Sequence, residues 1–78
     1  MEIADSARKH GVTDADIRHA VQQALRAVRQ SDDRVLFIGP AGNGSPLEVV
    51  VLDAVGEDEP AVAIHAMPLR RKFREHLR

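Results

Sequence analysis

Residues 35–52 read V-L-F-I-G-P-A-G-N-G-S-P-L-E-V-V-V-L, and this stretch decides the fold. Val35 to Ile38 is a short apolar run that ends in Gly39-Pro40, and Leu47 to Leu52 is rich in β-branched residues. The residues between them, Ala41 to Ser45, include types that tolerate positive φ and favour turns. The pattern therefore predicts two antiparallel strands joined as a β-hairpin.

The hairpin is followed by a second apolar run. Ala61 to Met67 predicts a third strand, which Pro68 ends. The acidic stretch Gly56 to Pro60 predicts the turn that leads into this strand. Arg70 to Leu77 then predicts a short C-terminal helix.

Two helices are expected before the hairpin. Met1 to His10 predicts the first helix, with Gly11 at the position where helix C-termini favour glycine. Thr13 is suited to begin the second helix as its N-cap. Apolar residues then recur three or four positions apart, at Ile17, Ala20, Val21, Ala24, Leu25 and Val28. The predicted order α-α-β-β-β-α indicates an α+β fold with an antiparallel sheet of three or more strands.

The composition narrows the class of protein. A chain of 78 residues is expected to form one domain, residues 1–78, with a small core. Cysteine is absent, so disulfides and thiolate metal sites are excluded, and the four histidines follow no short metal-ligand spacing. No signal peptide or apolar run long enough for a membrane span is present, which predicts a cytoplasmic protein without a membrane partner. The glycine-rich turn lacks the lysine-hydroxyl ending of a phosphate loop, so it is interpreted as a hairpin tip. No cofactor is expected.

His65 is the main candidate for proton transfer. Strict alternation along the third strand would place it on one face with Ala61, Ala63 and Met67, where small side chains leave room for a substrate group. Imidazole titrates near neutral pH and moves protons in both directions. The alternative is a hydrogen-bonded structural histidine. Glu48, the only acid in a predicted strand, is either a general base or an ion-pair partner, and surface ion pairing is the commoner fate.

Positive charge is concentrated at the C-terminal end. Residues 70–78 hold five basic side chains and one acid, so the net charge of −1 leaves about −5 on residues 1–69. Guanidinium groups suit two-pronged phosphate contacts, and the candidates in this tail are Arg70, Arg71, Lys72 and Arg74. A second basic spot consists of Arg8, Lys9 and His10. The alternative for both is a solvated helix end that complements the helix dipole.

Residues 8–16, R-K-H-G-V-T-D-A-D, are similar to the R-K-H-G-V-[S/T]-x-x-[E/D] signature of BrnT-type toxins, which belong to type II toxin-antitoxin systems. The chain also resembles the family's R-x-x-x-I-G run at Arg34 to Gly39 and its L-x-V-V-V run at Leu47 to Leu52. In the family's I-I-S-A-R run, this chain has His65 for the serine and Met67 for the arginine. The resemblance implies a RelE/ParE-like fold and a ribonuclease that arrests translation until an antitoxin binds it.

The expected function is therefore a metal-independent endoribonuclease toxin that cleaves mRNA, ribosome-bound mRNA included, by attack of the neighbouring 2′-hydroxyl. His65 would act as base or acid, Arg70 and Arg71 would stabilise the phosphorane, and Lys9 would be a supporting cation. The expected RNA contacts are Lys72, Arg74, His10 and Arg8. The expected partners are a cognate antitoxin and RNA, with no small-molecule cofactor.

Two alternatives come from other classes of protein. The first is a non-catalytic module that binds a protein or RNA and has lost nuclease activity. The second is a structural domain that uses the apolar stripe of its second helix as an oligomer surface. Sparse aromatic residues argue against an independent RNA-binding module of high affinity.

Overall fold

The computed structural model describes residues 1–54 and 59–77. These residues form an α+β fold in which one α-helix and two 3₁₀ helices pack on a five-stranded mixed sheet. The strands are β1 (Glu2–Ile3), β2 (Arg26–Ser31), β3 (Arg34–Pro40), β4 (Pro46–Leu52) and β5 (Val62–Pro68). The α-helix α1 is Asp14–Gln22, the N-terminal 3₁₀ helix is Asp5–Arg8, and the C-terminal 3₁₀ helix is Arg71–Leu77.

The predicted central hairpin is confirmed. β3 and β4 pair antiparallel in unbroken register from Arg34 opposite Leu52 to Pro40 opposite Pro46. The loop between them closes with a hydrogen bond of 2.7 Å from the Ala41 N–H to the Ser45 carbonyl. Apolar residues on both faces of these two strands make the hairpin the centre of the sheet.

The sheet has five strands, in agreement with the three or more expected, but the prediction that it is purely antiparallel is wrong. Its order is β1-β5-β4-β3-β2, and β1 pairs parallel with β5. The predicted helix over Met1 to His10 is therefore wrong in its first part, where the N–H groups of Glu2 and Ala4 donate to the carbonyls of Ala61 and Ala63, each at 2.9 Å. This pairing satisfies backbone groups that would be left open at the edge of β5. Gly11 has φ of 77°, which fits the glycine expected there.

The second predicted helix begins as expected but ends early. The hydroxyl of Thr13 accepts a hydrogen bond from the Asp16 N–H at 3.2 Å and caps α1. The predicted continuation to Val28 is wrong, because Arg26–Ser31 is an edge strand paired with β3. Without β2, one side of the buried strand β3 would lack hydrogen-bond partners, and that tertiary requirement overrides the helical spacing.

One side of the sheet, here called the helix face, carries α1 and the N-terminal 3₁₀ helix. Its core consists of Ala7, Ile17, Ala20, Ala41, Leu47, Val49, Val51, Ala63 and Ala66. Gly39 on β3 lets α1 approach closely, because a Cβ atom at this position would overlap the Ala20 carbonyl oxygen and lie 3.1 Å from the Cα atom of Ala24. The closeness of the helix thus depends on a residue without a side chain.

The opposite side, here called the cleft face, is covered in part by the end of the chain. The predicted C-terminal helix is a 3₁₀ helix, and Phe73 and Leu77 pack against Leu36, Ile38 and the buried Leu69. The predicted turn at Gly56 to Pro60 falls mainly on residues 55–58, which lie outside the described residues, as does Arg78. The basic tail therefore lies over the sheet rather than extending from it.

Candidate functional site

Glu48 is the centre of a polar network on the cleft face. It lies in β4 between apolar neighbours, and its side chain is 0% exposed. Its carboxylate accepts hydrogen bonds from the Arg70 N–H (2.9 Å), from Arg70 Nε (3.0 Å) and Nη2 (2.8 Å), and from His65 Nε2 (3.0 Å). A buried carboxylate is tolerated only with such partners. Glu48 is therefore an ion-pair partner, one of its two expected roles, but the expectation that the pair lies on the surface is wrong.

The charge of this network is set by opposing effects. Burial by itself raises the pKa of Glu48, but hydrogen bonds from Arg70 and then from His65 outweigh burial and hold the pKa of Glu48 below its ordinary value. The same carboxylate raises the pKa of Arg70 through their hydrogen bonds. Glu48 is therefore ionised and Arg70 is charged at neutral pH.

A β-bulge aims His65 at this carboxylate. β5 carries one extra residue at Ile64, because Val50 pairs with His65 while Val51 pairs with Ala63. The bulge breaks the alternation, so the prediction that His65 shares a face with Ala63 is wrong: Ala63 is in the core of the helix face. Bulges commonly redirect side chains in this way beside functional sites.

The hydrogen bond to Glu48 also selects the tautomer of His65. Because a carboxylate only accepts, Nε2 carries the proton, and Nδ1 of the neutral ring holds the lone pair. The side chain is 28% exposed, so solvent reaches the ring. The ring of His10 lies edge-on to it, with 5.7 Å between the ring centroids. The site thus holds two neighbouring imidazoles, one of them oriented by a buried carboxylate.

The C-terminal 3₁₀ helix brings cations to the network. Phe73 anchors this helix on the sheet. The guanidinium of Arg70 lies 5.3 Å and the ammonium of Lys72 lies 4.9 Å from the centroid of the Phe73 ring. Cations at this distance are attracted by the negative face of an aromatic ring. The anchor therefore fixes both the helix and the positions of its positive charges.

The cleft face of the sheet and the C-terminal segment border an open cleft with a volume of about 310 Å³. It is lined by Gln30, Arg34, Glu48, Val50, Ile64, His65, Arg70, Lys72 and Phe73. Three of these side chains are cationic and one is anionic, and the anion is already paired with Arg70. The cleft is therefore suited to an anionic ligand, with an imidazole available for proton transfer.

The structure brings together some of the residues predicted for the site. His65, Arg70 and Lys72 line the cleft, and His10 lies against His65. The other four predicted residues are exposed and are not in its lining: Arg8, Lys9, Arg71 and Arg74.

Arg8 is held in a different arrangement. It bonds Asp5 at 2.7 Å and Asp14 at 2.9 Å, so it ties the N-terminal 3₁₀ helix to α1. These hydrogen bonds, first those that Arg8 donates to Asp14, raise the pKa of Arg8. The predicted RNA contact at Arg8 would have to compete with two carboxylates.

Sequence reasoning missed two polar lining residues and underrated a third. Gln30 belongs to no motif, and Arg34 belongs only to the R-x-x-x-I-G run, which gives it no place in a site. The position of both residues in the cleft follows from strand pairing. Glu48 did carry a signal: it is the one acid in the run L-E-V-V-V-L, where every other side chain is apolar. An acid at such a position favours a buried, partnered carboxylate.

No helix in residues 1–54 and 59–77 is long and apolar enough to cross a membrane. No family model, curated protein or solved structure matches this chain. The resemblance to BrnT-type toxins therefore stays a prediction.

Proposed function

We propose that this chain is the toxin of a type II toxin-antitoxin system, a metal-independent endoribonuclease that cleaves mRNA in the cytoplasm and inhibits translation. The observation that carries the proposal is the pairing of His65 with the buried carboxylate of Glu48 inside a cleft lined by cations. The sequence resemblance to BrnT-type toxins, which implies a RelE/ParE-like fold, gives the biological setting of the proposal.

In the proposed reaction, Nδ1 of His65 takes the proton from a ribose 2′-hydroxyl. The 2′-oxygen attacks the adjacent phosphorus, the bond to the 5′-oxygen breaks, and the products are a 2′,3′-cyclic phosphate and a 5′-hydroxyl end. Glu48 is a positioning residue that orients the imidazole and stabilises its protonated form. The imidazole of His10, 5.7 Å away between centroids, is a second group that can supply the proton for the leaving oxygen.

Cations would stabilise the extra negative charge of the phosphorane. Arg70 uses Nε and Nη2 for Glu48, and Lys72 lies on the same side of the cleft as Phe73. Preorganised charges of this kind act on the transition state without having to move. Lys9 and Arg71, which were expected to stabilise the reacting phosphate, are exposed and outside the cleft lining. The proposal therefore assigns them, with Arg74, to contacts with the RNA backbone outside the cleft.

The proposed protein partner is an antitoxin that covers the cleft. Acidic side chains would complement Arg34, Arg70 and Lys72, and a bound partner would block access of RNA to His65. Binding to the folded state alone also stabilises a small domain by mass action.

The test is tightly controlled induction of the chain in bacterial cells, followed by mapping of new 5′ ends in total RNA. We compare the wild type with His65→Ala and with His19→Ala as a matched control. His19 is also a part-buried imidazole with one hydrogen bond, to the Pro40 carbonyl at 2.8 Å, but it belongs to α1 on the helix face.

We expect growth arrest and discrete new 5′ ends for the wild type and the His19 variant, and neither for the His65 variant. Cleavage that persists in His65→Ala would remove His65 from the mechanism. Normal growth and unchanged RNA, with folded wild-type protein present, would contradict the ribonuclease proposal.

One observation favours a second candidate, a non-catalytic protein- or RNA-binding module. Arg70 and His65 satisfy Glu48, so the network is also a complete structural unit that secures the C-terminal 3₁₀ helix. RNA binding that falls steeply with salt and leaves the RNA intact would identify this candidate.

A further inference from the structure

Two β-bulges open onto the same cleft. The first is at Ile64 on β5, beside His65. The second is on β2, where the register with β3 shifts at Gln30, so that Gln30 has no partner residue on β3. The side chains of both bulge residues line the cleft, although they come from strands at opposite sides of it. The second bulge therefore places a polar side chain in the site at a distance from His65.

Gln30 is free to bind a ligand. It is exposed, and its side-chain amide has no hydrogen-bond partner within residues 1–54 and 59–77. An amide offers two donor hydrogens and one acceptor oxygen, which is the pattern that reads the edge of a nucleic-acid base. Its neighbour Arg34 is 51% exposed, and among the described residues its one ion-pair contact is a long one of 3.8 Å with Asp33.

The separation of the two bulges sets the length of the ligand. β5 and β2 are separated by β4 and β3. Three steps at roughly 4.8 Å between neighbouring strands give about 14 Å. A stacked nucleic-acid strand advances about 3.4 Å per nucleotide, so a ligand that spans both bulges holds several nucleotides.

The residues that line the cleft between the two bulges fit a single-stranded nucleic acid. Arg34, Lys72 and Arg70 supply positive charge along the cleft, while Val50 and Phe73 supply apolar surface. Phosphates suit the first set, and the flat faces of unpaired bases suit the second. The one acid, Glu48, is fully buried and paired, so it does not repel a polyanion as a free carboxylate would.

We propose that the cleft is a track for single-stranded RNA and that Gln30 recognises a base several nucleotides away from the phosphate at His65, with Arg34 on the adjoining phosphate. The inference rests on the proposed function for its ligand, and it adds a residue that determines sequence preference. Gln30 acts on binding and takes no part in the chemistry.

The test measures binding separately from cleavage. Fluorescence anisotropy is recorded with fluorescein-labelled hexanucleotides of 2′-O-methyl uridine, adenosine or cytidine, which lack the attacking hydroxyl. The proteins are the wild type, Gln30→Ala, Arg34→Ala, and Gln22→Ala as the matched control. Gln22 is an exposed glutamine of α1, on the helix face. Thermal unfolding followed by circular dichroism shows that each variant is folded.

We expect the wild type and the Gln22 variant to prefer one base over the poorest by about tenfold, the range of a well-made amide-base contact. Gln30→Ala should reduce that preference to about twofold or less. Arg34→Ala should weaken binding to every oligonucleotide by a similar factor and lower the slope of affinity against salt by about one.

Equal affinity of the wild type for all three sequences, a preference that survives in Gln30→Ala, or no binding of the wild type would each overturn the inference. Mapping of RNA ends in cells reports on the proposed function independently. If the chain cleaves RNA in cells but binds all three oligonucleotides equally, only the role of Gln30 is overturned. If it prefers one base in the binding assay but cleaves no RNA in cells, only the ribonuclease proposal is overturned.

Discussion

Replacement of Glu48 by glutamine is the perturbation whose cost follows most directly from the structure. The substitution keeps the shape of the side chain, but it removes the charge and turns an amide NH₂ group toward Arg70 or His65, which are themselves donors. Loss of one partner from a fully buried ion pair costs about 3–5 kcal/mol. Because the side chains of Arg70 and His65 are 42% and 28% exposed and regain water, we expect about 2 kcal/mol, roughly half of that cost.

A loss of this size is large for a small domain. Domains have about 0.05–0.15 kcal/mol of stability per residue, and a domain of this size loses about 4–8 °C in Tm per kcal/mol. We therefore expect Tm to fall by about 8–16 °C in Glu48→Gln. The assay is urea and thermal unfolding followed by far-ultraviolet circular dichroism, because the chain has no tryptophan or tyrosine. The urea midpoint should shift while the slope of the transition is unchanged.

Two comparisons make the result specific to the buried network. Glu75→Gln removes an exposed acid and should change the free energy of unfolding by less than about 0.5 kcal/mol. The double variant Glu48→Leu/Arg70→Leu replaces the pair by apolar side chains and should be more stable than Glu48→Gln. A Glu48→Gln protein that unfolds within about 0.5 kcal/mol of the wild type would refute the assignment of Glu48 as the centre of the network.

The remaining predictions concern pH, the helix contact and the C-terminal 3₁₀ helix. The pKa of Glu48 is lower in the folded state than its ordinary value of 4.5. The ionised carboxylate therefore contributes to stability above pH 4.5, and this contribution is lost as the pH falls below 4.5 toward the folded-state pKa. In urea titrations, the difference in unfolding free energy between the wild type and Glu48→Gln should shrink from pH 7 to pH 3. Gly39→Ala should destabilise the protein by about 3 kcal/mol or more, because the new Cβ meets the backbone of α1. Gly11→Asn should cost about 1 kcal/mol or less, because Gly11 has φ of 77° and no atom lies within 4 Å of an added Cβ. Unfolding followed by circular dichroism measures both costs, and equal costs would contradict the close contact at Gly39. Phe73→Ala should release the C-terminal 3₁₀ helix, so that limited trypsin digestion cuts at Arg71 and Lys72 well before the rest of the chain; an unchanged digestion pattern would show that Phe73 is not the anchor.

The local sequence was sufficient to predict those elements whose contacts join residues close together in the chain. The apolar runs on either side of the glycine-rich turn specify the β3–β4 hairpin, and Thr13 specifies the start of α1, because the atoms involved are only a few residues apart. The third strand and its end at Pro68 were predicted for the same reason. The residue types of the site, one histidine followed by a dense basic tail, were also evident from the sequence.

Long-range pairing decided what the sequence left ambiguous. The spacing from Ile17 to Val28 fits a longer helix, and only the need of β3 for a partner on its open side makes Arg26–Ser31 a strand. The first residues likewise join β5 as a parallel strand, which no local pattern distinguishes from the start of a helix.

The chain by itself determined a central hairpin, a capped helix and a separation of charge, because propensity, turn chemistry and net charge are properties of neighbouring residues. Only the tertiary structure decided that Glu48 is buried, that a bulge turns His65 toward it, and that Arg70 completes the network. Glu48 is 22 residues from Arg70 and 17 from His65 in the chain, so their contact depends on strand register and on the fold of the tail over the sheet. A shift of one residue in register would turn the acid to the other face and remove the site.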